Sequence, residues 1–214
     1  MRPRPPKVGH RDEGRTRLLP VPPGYRAAMN AITLLKNDHK TVEDLFKRFE
    51  KLGPRALKTK QDVVARIVRE LSIHATVEEM ILYPAIRDAV EKGDTDNVVL
   101  ESLEEHHIVK GVLWELERTS PEDERFDAKV RVLMENVRHH VKEEEKDLFP
   151  QVNKLYGRTE LEELGDAMAR LKKTAPTHPH PKAPDEPPGN IIAGAGAALM
   201  DRALDAGRKL AGRN

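Results

Sequence analysis

The chain has 214 residues, of which 34% are charged and only 4% aromatic, and its net charge is +1. It contains no cysteine, which excludes disulfides, thiolate metal sites and redox thiols, so any metal must be held by imidazole and carboxylate. Residues 1–28 carry seven basic against two acidic groups and residues 172–214 seven against four, leaving the segment between them at −7, a poor surface for nucleic acid.

Taken in order, residues 1–28 hold six prolines and no apolar periodicity, which predicts a disordered basic arm, with Met29 an alternative initiator. Asn30 is placed to cap a first helix to about Leu52, stopped by Gly53-Pro54. A second runs from about Ala56 to Leu82, with Pro84 breaking or kinking it before a short extension to about Val90. Lys92-Gly93-Asp94 is a turn, and a third helix covers about Asp96 to Arg118. Ser120-Pro121 reads as a cap followed by proline at the first helical position, opening a fourth helix to about Phe149. Thr159 to Lys172 is a fifth helix with capping-box spacing at its start. A proline-rich linker follows over 174–189, where His178 and His180 read as a chance repeat. The last helix, about Ile191 to Leu210, places Ile192, Leu199, Ala203 and Leu210 roughly on one face, to dock on the bundle, pair with a protein partner or rest on a membrane surface. The longest apolar stretch, Ile191 to Met200, is far short of the roughly 20 residues a membrane span needs. With no signal peptide at the N-terminus, a cytoplasmic protein without integral membrane association is expected.

One pattern is written twice. His74-x3-Glu78 followed by Tyr83-Pro84 returns as His140-x3-Glu144 followed by Phe149-Pro150, and each copy is preceded by a histidine after an acidic residue, Asp38-His39 and Glu105-His106. Helical periodicity puts His39 in the stripe Ile32, Leu35, Val42, Phe46 and His106 in the stripe Val99, Val109, Leu113. His74 with Glu78, and His140 with Glu144, occupy core positions on the other two helices, four residues apart and so within about 40° around the axis. Four imidazoles and two carboxylates buried without a cation would be costly in desolvation and repulsion. A metal pair removes that cost. His107 and His139 are rotated by about 100° from their neighbours and should face outward.

At these residues the chain resembles the hemerythrin family, in particular proteins with an HHE cation-binding domain, over about residues 30–155. The resemblance implies an all-α, up-down-up-down four-helix bundle. Around it the domain reading is an arm over 1–28, the bundle over 29–156, an additional helix over 157–173, the linker over 174–189 and a C-terminal helix over 190–214. It further implies a carboxylate-bridged centre of two non-haem irons, with His39 and His74 on one, His106 and His140 on the other, and Glu78 and Glu144 bridging. A small diatomic or peroxide ligand would take the open positions. Lys110 stands where oxygen carriers of the family have a further histidine, and Glu144 replaces an Asp one residue later; both departures weigh against reversible O2 transport. Glu43, four after His39, is read as a surface residue. Ferritin-like di-iron proteins need paired Glu-x-x-His motifs, of which only Glu104 to His107 is present.

Overall fold

A computed structural model describes residues 29–90, 93–184 and 189–211, and the predicted arm lies outside them. Helix α1 (Ala31–Glu50) starts where expected: Asn30 Oδ1 accepts the amides of Ile32 (2.8 Å) and Thr33 (3.4 Å), which supplies partners to two amides a helix start leaves free. The chain turns at Gly53-Pro54 into α2 (Leu57–Val77), which passes through a wide π turn, Glu78–Leu82, into α3 (Tyr83–Ala89). Helix α4 (Asp94–Leu116) is followed by α5 (Phe126–Glu143), a second π turn at Glu144–Leu148, and α6 (Phe149–Leu155). These elements form the four-helix bundle, and α7 (Arg158–Lys172) lies across α1 and α2.

Helix α5 begins five residues later than the Ser120-Pro121 signal predicts. Residues 121–125 are turns instead: Ser120 Oγ accepts the Glu122 amide, Asp123 Oδ1 accepts the Arg125 amide, and the Asp123 carbonyl takes the amide of Phe126. Two cap-like residues in tandem compete here, and the second wins because Phe126 is then carried into the core against Phe49. At the start of α7, Glu160 caps back onto the Gly157 amide at 2.8 Å, two residues ahead of the box read from Thr159. Gly165 stands in the middle of α7, where a Cβ would meet the Met29 carbonyl at 1.8 Å. The glycine, which costs about 1 kcal/mol against alanine in a helix, lets α7 press onto the start of α1.

Two apolar clusters make up the core. One gathers Phe46, Val63, Ile67, Leu113, Phe126 and Leu133 toward the Gly53 end. The other gathers Leu35, Leu82, Tyr83, Ile86, Leu148 and Phe149 toward the proline end and includes Leu161 and Met168 of α7. The polar centre lies between them, since His39, His74, His106 and His140 each follow a member of one cluster and precede a member of the other along their helices.

The segment read as a linker is packed where it is described. Residues 175–177 are buried, and Asp201 of helix α8 (Gly189–Ala211), itself buried, accepts the amides of Thr177 (2.8 Å) and His178 (3.0 Å). His180 lies 3.1 Å from the Asp201 carboxylate, and His178 pairs with Glu117 and Asp205. The two histidines therefore tie a strap to α4 and α8. Of the apolar face expected on α8, only Leu199 has a described side chain, and it is 72% exposed. The docked edge runs through Asn190, Ala198 and Asp201 instead, because the strap's amides demand a carboxylate partner.

Candidate metal centre

The two π turns shape the site. Pro84 and Pro150 have no N–H, and in an unbroken α-helix their rings would press on the carbonyls of Met80 and Lys146. Widening resolves both problems, with the amide of Tyr83 bonded to the Glu78 carbonyl and that of Phe149 to the Glu144 carbonyl, five residues back in each case. Each turn thus begins at a predicted metal-ligating glutamate, and the aromatic residue that closes it swings back to the centre. Tyr83 Oη donates to Glu144 Oε1 at 3.0 Å. Phe149 stacks on His39, ring centroids 5.8 Å apart and planes within 6°.

All six predicted residues converge, and all are buried. Glu78 Oε2 is 3.1 Å from His74 Nε2 and 3.5 Å from His106 Nε2. Glu144 Oε2 is 3.3 Å from His39 Nε2 and 3.6 Å from His140 Nε2. Each carboxylate therefore stands between one imidazole of each predicted pair. Two donor sets share Glu78: His39, His74, Glu78 and Glu144 in one, and Glu78, His106 and His140 in the other. Glu43 is not among them; it pairs with Arg138 on the surface. His107 and His139 are exposed, His139 in a surface group with Glu105 and Glu143.

The outward nitrogens are matched by carboxylates that sequence reasoning missed. His39 Nδ1 meets Glu145 at 2.9 Å, His106 Nδ1 meets Glu79 at 2.9 Å, and His140 Nδ1 meets Glu105 at 2.7 Å. His74 Nδ1 faces Asp38 at 3.8 Å, too long for a hydrogen bond. Such partners fix the tautomer with Nδ1–H outward, so that the Nε2 lone pair points in. Lys110 donates to Glu79 at 2.6 Å, and Lys172 of α7 binds Asp38. The signal was available: each of these acids is a sequence neighbour of a predicted donor, in Asp38-His39, Glu78-Glu79, Glu105-His106 and Glu144-Glu145.

The electrostatics fit bound cations. Neither oxygen of Glu78 has a hydrogen-bond partner, nor do His39 Nε2, His74 Nε2 and Glu144 Oε2, although buried polar atoms are nearly always paired. The His106 and His140 Nε2 atoms face each other at 3.1 Å, where two lone pairs repel unless a proton or metal lies between them. Burial, then the charges of Glu144 and Asp38, push the Glu78 carboxyl well up. Burial also opposes ionisation of Glu144, but His140 and His39 hold its carboxyl far below the usual range. Burial drives His74 down to about 4, so it is neutral and free to donate its lone pair. Burial and the two carboxylates raise Tyr83, which stays a proton donor. Beside the four imidazoles a cavity of about 20 Å³, walled by Val42, Leu71, Val109 and Val137, has room for about one water-sized molecule.

Comparison with known proteins identifies the domain that carries these residues. The hemerythrin HHE cation-binding domain matches residues 30–152. An uncharacterised hemerythrin-like protein of Schizosaccharomyces pombe is 31% identical over 65% of this chain and 68% of its own length. A DNA nickase of Nostoc is 31% identical over 58% of this chain, which spans only 34% of that longer protein. The crystal structure of a hemerythrin HHE cation-binding domain-containing protein from Mycobacterium kansasii superposes with a TM-score of 0.58 at 25% identity, covering 68% of this chain and 86% of that one.

Proposed function

From the premise that this chain belongs to the hemerythrin HHE cation-binding family, we propose that it holds two non-haem irons and uses them to bind or sense a small molecule such as O2, NO or peroxide. His39 and His74 serve one ion, His106 and His140 the other, and Glu78 and Glu144 bridge. The observation that carries this reading is the place of each buried glutamate between imidazoles of both pairs, with oxygens and Nε2 atoms left unpartnered. When bound, such a pair supplies open coordination positions and exchangeable electrons. The protein's own residues do the rest. Glu145, Glu79 and Glu105 orient the imidazoles of His39, His106 and His140, the valines and Leu71 keep the pocket apolar, and Tyr83 holds a proton at its hydroxyl, hydrogen-bonded to Glu144.

A cytoplasmic location completes the reading; no helix among the described residues is long and apolar enough to cross a membrane. Nucleic acid is no part of it, because the bundle segment is acidic and the likeness to the nickase spans about a third of that protein. A second reading, a metal-stabilised interaction module acting through its tails, is favoured by the exposed Leu199 and Met200 of α8. Iron quantification with an optical spectrum separates the two. Two irons per chain and ligand-sensitive near-ultraviolet charge-transfer absorption are expected, and one ion or none in protein prepared with iron available would overturn the first reading.

A further inference from the structure

We propose that the groove between α1 and α5 is a binding site for a small organic anion with an apolar body, of the class of a medium-chain carboxylate. The groove holds about 520 Å³, within the range of roughly 300–1,000 Å³ for pockets that take small organic ligands. Its depth is apolar, lined by the buried Val42, Phe46 and Val137 and the half-buried Val141, with the Arg138 guanidinium 5.7 Å from the Phe46 ring. Its rim carries five cations, Lys36, Lys40, Arg138, Lys142 and Lys146, against Glu43 and Glu145. Lys36, Lys142 and Lys146 stand exposed around it, and none of the three is held in an ion pair among the described residues. The other cations there are committed, Lys40 to Asp44 and Arg138 to Glu43 and Glu50.

Three uncommitted lysines over an apolar trough, in a segment carrying a net −7, specify a ligand by its two ends. An inorganic anion has no use for the floor, and a neutral apolar molecule forgoes the rim. The volume is that of a site for one small molecule, which favours a free anion over a bilayer surface. The groove also touches the centre, because His39 and its outward partner Glu145 line it, and Glu145 at 37% exposed is the most open of the four outer carboxylates. An occupant therefore sits against the support of His39. That last relation rests on the proposed centre, whereas the binding itself does not.

The test titrates the full-length protein, with its iron content measured separately, using octanoate, 1-octanol, sulfate and phosphatidylglycerol vesicles. Octanoate is expected to saturate at one site per chain, with octanol and sulfate weaker by about tenfold or more. A variant combining Lys36→Gln, Lys142→Gln and Lys146→Gln should weaken octanoate by about tenfold while keeping thermal stability and iron content; the corresponding Glu substitutions should weaken it further. Equal binding of octanol or sulfate, unchanged affinity in the lysine variants, or binding to vesicles alone would overturn the proposal. None of these outcomes alters the iron stoichiometry, so failure here is distinct from failure of the metal reading.

Discussion

The two halves of the centre are nearly interchangeable, and they differ where access is concerned. Asp38, His39, His74, Glu78 and Glu79 correspond in position and partner to Glu105, His106, His140, Glu144 and Glu145. Around Glu79 the structure is sealed: the carboxylate is 5% exposed, Lys110 is bonded to it, and Asn190 of α8 donates to its backbone carbonyl. Around Glu145 it is open. The position matching Lys110 is Glu43, which turns away to Arg138, and the groove between α1 and α5 runs up to His39. Tyr83 offers a hydroxyl to Glu144, while its counterpart Phe149 offers only a ring face to His39. The repeated residues gather the buried imidazoles and carboxylates; the unrepeated ones differ in how open the structure is around Glu79 and Glu145.

That division can be tested from the strongest effect downward. Glu78→Ala and Glu144→Ala strike what the halves share, and each should cut bound iron from two ions per chain to one or fewer. His139→Ala, exposed beside the centre, should retain both by metal analysis, and equal loss there would break the assignment of inner and outer faces. Chelation should come next. Stripping the ions leaves buried Glu78 and the Nε2 atoms uncompensated, a penalty of about 3–5 kcal/mol, so the melting temperature should fall by about 6 °C or more. Calorimetry with and without chelator reads it, and an unchanged transition would mean that the apo site is already satisfied.

The next pair addresses the asymmetry directly. Glu79→Gln should weaken iron binding by about 10–100-fold, the usual consequence of disturbing a buried outer partner. Glu145→Gln should cost less, because solvent can take its place beside His39. Competition with a coloured chelator measures both, and reversal of the order would refute the sealed and open description. Tyr83→Phe makes the halves alike at the aromatic position. It should keep two irons and lower stability by about 1.5 kcal/mol, the low end for losing a bond to a charged group, while shifting the charge-transfer band through Glu144. An unchanged band would separate the hydroxyl from the centre's electronic environment.

Much of this arrangement was legible in the sequence because the two governing signals are local. Histidine and glutamate four residues apart on an apolar stripe face inward with it, and Asn30, Gly53, Pro84 and Pro150 punctuate helices by local chemistry. The outer carboxylates were not found because rotation about one helix axis sends Asp38 or Glu79 away from its own neighbour's target. What they reach is an imidazole on a different helix, which only the packed bundle reveals. The prolines announced a disturbance, but a kink and a π turn accommodate the missing N–H equally well. His178 and His180 were opaque for a related reason, since their partners Asp201 and Glu117 lie 21 and 61 residues away.

The correspondence between halves has a historical and practical side. Residues 29–90 contain a complete set of half-site donors, His39, His74 and Glu78, with their own Asp38, Glu79 and Tyr83. Two copies of that helical pair, related by a two-fold axis, would present the same six donors as the whole chain, now with a tyrosine on both sides. A protein of this design is what duplication and fusion of a self-associating helix pair would leave behind, with Tyr83 and Phe149, and Lys110 and Glu43, among the positions where the halves differ. Splitting the chain between α3 and α4 and recombining the pieces retraces that path.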